Sequence, residues 1–176
     1  MKKTLVAITL ALSAIGGASA KDLVAYYSRT GNTELLAQEI ANQTGADLYR
    51  IETADENWYP ADYTPTTEQA KAEIADGTLP PIKDIVDLSE YESVYVGTPC
   101  WWGTMAVPVK TFLTTADLSG KTVIPFSTHG TSSANTHDDI VAMTPNSEHK
   151  EGLAINGGDA ANSADTVKEW LGRIEQ

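Results

Sequence analysis

Apolar residues recur along this chain with two periods that take turns. Short apolar runs at residues 23–27, 93–98 and 122–127 read as buried strands. Residues 47–51 and 153–155 add two more strands, the first polar enough to lie at a sheet edge. Between the first two, Thr33, Leu36, Ala37, Ile40, Ala41 and Thr44 fall on one face of a helix, and Gly45 follows as its C-cap. Helices are also predicted over residues 65–76, closed by Gly77, and through Met105, Val109, Phe112 and Leu113, with Pro108 in the first turn. Two more cover residues 135–143 and the C-terminal set Ala164, Val167, Trp170, Leu171 and Ile174. Strands alternating with helices predict an α/β fold, a doubly wound parallel sheet with helices on both faces. Pro125 falls inside the fourth strand, where a bulge is expected to accommodate it. Residues 53–64, 99–104 and 128–134 read as loops.

The first twenty residues break the pattern. Lys2 and Lys3 precede an apolar stretch, and Gly16-Gly17-Ala18-Ser19-Ala20 ends in a small-residue site, as in a secretory signal peptide cleaved near Ala20/Lys21. The stretch is shorter than the roughly 20 residues of a membrane span. No cysteine follows the site, and the Lys-Lys pair favours export of an unfolded chain. The expected organisation is a signal peptide over residues 1–20 and one domain over residues 21–176, periplasmic or secreted, with no stable membrane insertion after cleavage. Loss of Lys2 and Lys3 would take the formal charge from −12 to −14. Such acidity argues against nucleic acid and anionic membranes, and suits a basic partner or solubility alone. Cys100 is the single cysteine, so an intramolecular disulfide is excluded.

Candidate chemistry sits in the three loops that leave strand carboxyl ends, where open α/β sheets bind ligands. The first, Ser28-Arg29-Thr30-Gly31-Asn32-Thr33, sets hydroxyls and backbone amides at the start of a helix, an arrangement suited to one phosphate. It lacks the Gly-Lys-Thr/Ser of a P-loop and the three glycines of a dinucleotide turn. The second holds Pro99-Cys100-Trp101-Trp102-Gly103. Two adjacent tryptophans cannot both enter one core, so at least one is expected to line a surface or to stack on a flat ligand. The third holds Thr128-His129-Gly130, with His129 a candidate donor or proton carrier. Gly103 and Gly130 would let backbone approach a ring closely. Three aromatics at 58, 59 and 63 either pin their loop to the body or wall the site. No histidine or carboxylate pair shows metal spacing, and no catalytic nucleophile stands out.

Tyr26-Tyr27-Ser28-x-Thr30-Gly31-Asn32-Thr33-x-x-x-Ala37 resembles the phosphate loop of the flavodoxin family. The resemblance extends through Tyr59-Pro60-x-x-Tyr63, Pro99-x-Trp101-Trp102-Gly103-Thr104-Met105, Pro108-Val109-x-Thr111-Phe112-Leu113 and Pro125-Phe126-x-Thr128-His129-Gly130. It implies a five-stranded sheet of order 2-1-3-4-5 and bound FMN. It also implies that Ser28, Thr30, Gly31, Asn32 and Thr33 hold the phosphate, with Pro99, Cys100, Trp101, Trp102, Gly103, Thr128, His129 and Gly130 flanking the ring. Thr131, where a second glycine is expected, and Arg29, a cation in a loop of neutral donors, depart from the pattern.

The leading expectation is an exported FMN protein that carries electrons between partners, the chain's acidity favouring a low potential for the last reduction step. Two alternatives stand beside it. One is an NAD(P)H-dependent FMN reductase acting on quinones or nitro compounds. The other is a flavin-free binding protein of the same fold.

Overall fold

The computed structural model describes residues 21–175, so the expected signal peptide lies outside the described residues. In chain order the elements are β1 (Lys21–Tyr26), α1 (Asn32–Thr44), β2 (Asp47–Arg50), α2 (Tyr63–Asp76), β3 (Tyr91–Trp101), β4 (Thr104–Met105), α3 (Val107–Thr115), β5 (Thr122–His129), α4 (Thr136–Met143), β6 (Glu148–His149), β7 (Leu153–Asn156), a 3-10 helix (Gly157–Asn162) and α5 (Ala164–Ile174).

The sheet runs β2–β1–β3–β5, all parallel, and β6 and β7 then both pair in parallel with β5. The expected α/β class and doubly wound layout therefore hold, with two differences from five strands: two short strands share the fifth position, and β4 pairs back on β3. β6 pairs with Thr122 and Val123, while β7 pairs with Phe126 through His129. Pro125 falls in the gap between them, where no strand awaits an N–H. On its other side it stays in register with Val96, without the expected bulge.

Alternation along the strands sends side chains to two cores. Val24, Tyr26, Tyr95, Ile124 and Phe126 pack against Leu36 and Ile40 of α1 and Trp170 of α5. Leu23, Ala25, Val94, Val96 and Val123 pack against Val109 and Phe112 of α3 and Ile140 of α4. The first core closes around Gly97, because a Cβ there would lie 2.1 Å from the Phe126 ring. α2 joins neither core; its buried residues are Thr66, Ala70 and Glu73.

The second expected loop is a hairpin. β3 continues through Pro99 and Cys100 to Trp101, turns at Trp102 and Gly103, and returns as β4. α3 accordingly starts at Val107, with Pro108 in its first turn, and Met105 belongs to β4. Among the described residues no helix is long and apolar enough to cross a membrane.

Candidate functional site

The carboxyl ends of β1, β3, β5 and β7 meet α2 around a cleft of about 590 Å³. That volume lies within the range of small-molecule sites. From the expected set, Thr30 and Asn32 line it beside α1, Pro99, Cys100, Trp101 and Trp102 beside the hairpin, and Thr128, His129 and Gly130 beside β5. Ser28, Gly31, Thr33 and Gly103 are not among its lining residues.

The phosphate-type loop is built by its own side chains. Ser28 is buried, and its Oγ accepts from the Gly31 amide at 3.2 Å. Gly31 turns into α1 with φ of 92°, a left-handed conformation that favours glycine. The first bond of α1 runs from the Leu35 amide to the Gly31 carbonyl, so the amides of Asn32, Thr33 and Glu34 precede the helical ladder. The Thr33 hydroxyl is buried and shares a 2.8 Å hydrogen bond with that of Thr128, joining the first loop to the third. Glu34, an acid in the first turn, is met by Arg50 at 2.6 Å, which tempers its repulsion of an incoming anion. Arg29 also lines the cleft, and its Nη2 donates to the Ala61 carbonyl at 2.7 Å.

The tryptophans divide. Trp101 lies edge-on between Tyr27 (centroids 5.6 Å apart) and Tyr59 (5.1 Å). Trp102 is 57% exposed and adopts φ of 54°, a strained conformation for a bulky residue. Its Nε1 donates to the Thr67 carbonyl of α2 at 2.9 Å, and the Lys71 ammonium lies 4.9 Å from its ring centroid. Burial pushes the Tyr27 hydroxyl up to about 12, and burial followed by Glu73 raises that of Tyr59, so both phenols stay protonated at neutral pH.

The aromatic loop both pins and walls. Trp58 Nε1 and the Tyr59 hydroxyl donate to the buried Glu73 carboxylate at 2.8 and 2.6 Å, whereas Tyr63, 74% exposed, lines the cleft. On the opposite wall, Cys100 donates its thiol to the Ser133 carbonyl at 3.5 Å. Among the described residues, His129 Nδ1 is the buried side-chain nitrogen or oxygen without a partner. His137, for which the sequence offers no context, shares a 2.9 Å hydrogen bond with fully buried Ser127 and fixes α4 to β5.

Two parts of the wall lie outside the residues expected from sequence. Asn156, Gly157 and Gly158 close one side, with the Asn32 amide seated so near Gly157 that a Cβ there would lie 2.6 Å from Nδ2. Asn156 donates to the Gly130 carbonyl at 2.7 Å and accepts from the Gly158 amide. Asn-Gly-Gly at a strand's carboxyl end was a usable signal. Thr66, Thr67 and Ala70 of α2 carried none.

Neutral donors beside α1 and an exposed indole on the rim fit a ligand with a phosphate and a flat ring. Among the described residues no cluster of His, Cys, Asp and Glu could hold a metal ion.

A family model described as flavodoxin matches residues 21–174. The chain is similar to a candidate flavoprotein of Bacteroides uniformis, at 32% identity and a TM-score of 0.76 over 87% of this chain and 98% of that one. A flavoprotein of Lactobacillus acidophilus, solved in complex with FMN, shares the fold at 22% identity and a TM-score of 0.72, over 87% and 99% of the two chains. Among curated proteins, an NAD(P)H dehydrogenase (quinone) of Chromohalobacter salexigens is 33% identical over 99 residues, which is 52% of this chain and 45% of that protein. One of Rhizobium meliloti is 32% identical over 98 residues, 53% and 42% of the two chains. The matched region thus spans less than half the length of these curated relatives.

Proposed function

This chain belongs to the flavodoxin family, and we propose that it binds FMN and passes electrons between redox partners. The observation that carries this reading is the cleft itself, with the phosphate-type loop on one side and the rim indole of Trp102 on another. Thr30, Asn32 and the first amides of α1 would hold the phosphate, supported from behind by Ser28, Gly31 and Thr33. Trp102, Pro99, Cys100 and the Thr128–Gly130 segment would flank the ring. Bound FMN supplies the redox chemistry; the chain binds it, orients it and limits solvent access. The flavoprotein of the same fold that was solved with FMN supports the choice of cofactor. Export, with cleavage after Ala20, belongs to the same reading and is supported by the pattern of residues 1–20.

A second reading, NAD(P)H-dependent reduction of quinones, draws on the names of the curated relatives. It requires a second flat molecule over the flavin, and exposed Tyr63 on the rim gives such a molecule an aromatic surface.

The visible spectrum of the purified protein, before and after adding FMN, tests the first reading. A yellow protein, or an apo form that takes up FMN more tightly than riboflavin, is expected. A chain that stays colourless at high FMN would favour a flavin-free binding module. Steady-state oxidation of NAD(P)H with a quinone then separates carrier from reductase.

A further inference from the structure

Arg29 stands in the middle of the phosphate-type loop, yet its side chain serves another element. Its Nη2 donates to the carbonyls of Ala61 at 2.7 Å and Pro60 at 3.3 Å, and to the Thr66 hydroxyl oxygen at 3.3 Å. The Thr66 hydroxyl in turn donates to the Pro60 carbonyl at 2.6 Å. These groups straddle the start of α2, where the N-cap residue Asp62 makes no capping bond with its side chain. The knot therefore fixes a helix end that would otherwise lack a side-chain partner.

α2 depends on such ties. It buries Thr66, Ala70 and Glu73 and no large apolar side chain, so hydrophobic burial contributes little to seating it. What holds it is polar: the Arg29 knot at its start, the Trp102 indole on the Thr67 carbonyl, and Glu73 beneath the aromatic loop. Yet α2 supplies a wall of the cleft through Tyr63, Thr66, Thr67 and Ala70. One guanidinium thus joins the loop that would grip the phosphate to the wall that would face the ring.

We propose that Arg29 is a positioning residue that seats the α2 wall over the ring-binding part of the cleft, and that it is not a phosphate ligand. The inference rests on the flavin reading above. It explains why a cation is present among neutral donors: its Nη2 is committed to backbone and hydroxyl acceptors at the start of α2. Its removal should be felt by a ligand that has no phosphate at all.

Titration of Arg29→Gln with FMN and with riboflavin tests this, alongside Thr66→Val, which cuts the same knot without altering the loop. Arg29→Gln should weaken both ligands by the same factor, about two- to thirtyfold, and Thr66→Val should act in the same direction. Amide exchange on the flavin-free protein should quicken across residues 60–70 in both variants while β3 stays protected. A loss confined to FMN would make Arg29 a phosphate contact and overturn the proposal. Unchanged affinity for both ligands, or unchanged exchange at 60–70, would overturn it too. A parent protein that binds neither flavin would sink the flavin reading alone, because the tie to α2 is still judged by exchange. If Arg29→Gln does not fold, Thr66→Val carries both readouts.

Discussion

Trp101 and Trp102 are neighbours in sequence with different duties, and substitution should separate them. Trp101 is wedged between two tyrosines, so Trp101→Ala should cost about 1–3 kcal/mol of stability, through lost aromatic pairing and burial. Trp102 is exposed and tied to the rim, so Trp102→Ala should lower the melting temperature less than Trp101→Ala does, while loosening α2, weakening FMN and removing much of its tryptophan quench. Denaturant unfolding and a fluorescence titration read the two effects. His137 gives a second residue-scale expectation. Burial holds its pKa below the usual histidine value, so the unfolded chain binds a proton in a range where the folded one does not. The stability linked to it is complete above about pH 6.5 and declines as pH falls from there toward the folded-state pKa. In His137→Gln that part of the slope between pH 7 and 5 should vanish, which urea midpoints measured across the range would show.

At the scale of elements, Glu73 is where α2 and the aromatic loop meet. Glu73→Ala would leave the Trp58 and Tyr59 donors without their acceptor, at about 1–3 kcal/mol for a stranded buried group. The loop over residues 54–62 should then become a preferred site of limited proteolysis, and Glu73→Gln should fall between parent and Ala because one acceptor oxygen survives. Nothing in the sequence announces this carboxylate; it sits on a helix whose apolar pattern is weak. The strongly patterned elements were legible. The face of α1 repeats at helical spacing up to Gly45, which caps it with φ of 75°, and the C-terminal set buries Val167, Trp170, Leu171 and Ile174 as expected. Short elements were not. β4 and β6 are two residues each, too short for any periodicity, and the hairpin at Trp102 depends on pairing between Cys100 and Met105 that only the folded sheet supplies. The three loops picked out by their chemistry do reach one cleft. The α2 wall comes from residues whose meaning lies in where the chain returns.

For the whole molecule, the flavin reading predicts linkage between ligand and stability. FMN at a hundredfold excess over Kd should add about 2.7 kcal/mol. The melting temperature should climb with FMN concentration and climb less with riboflavin at the same concentration. Protein recovered after export should begin at Lys21 or a neighbour, which N-terminal sequencing would establish; material that still starts at Met1 would contradict cleavage. The divided fifth position has a consequence for the protein while it waits for a ligand. Sheets invite other chains to add strands wherever a long row of backbone groups is left open. On the β5 side that row is broken at Pro125 and covered by segments of two and four residues, and on the other side β2 offers four residues bearing Asp47 and Arg50. Both borders are short, and short charged or interrupted edges offer an adding strand little to pair with.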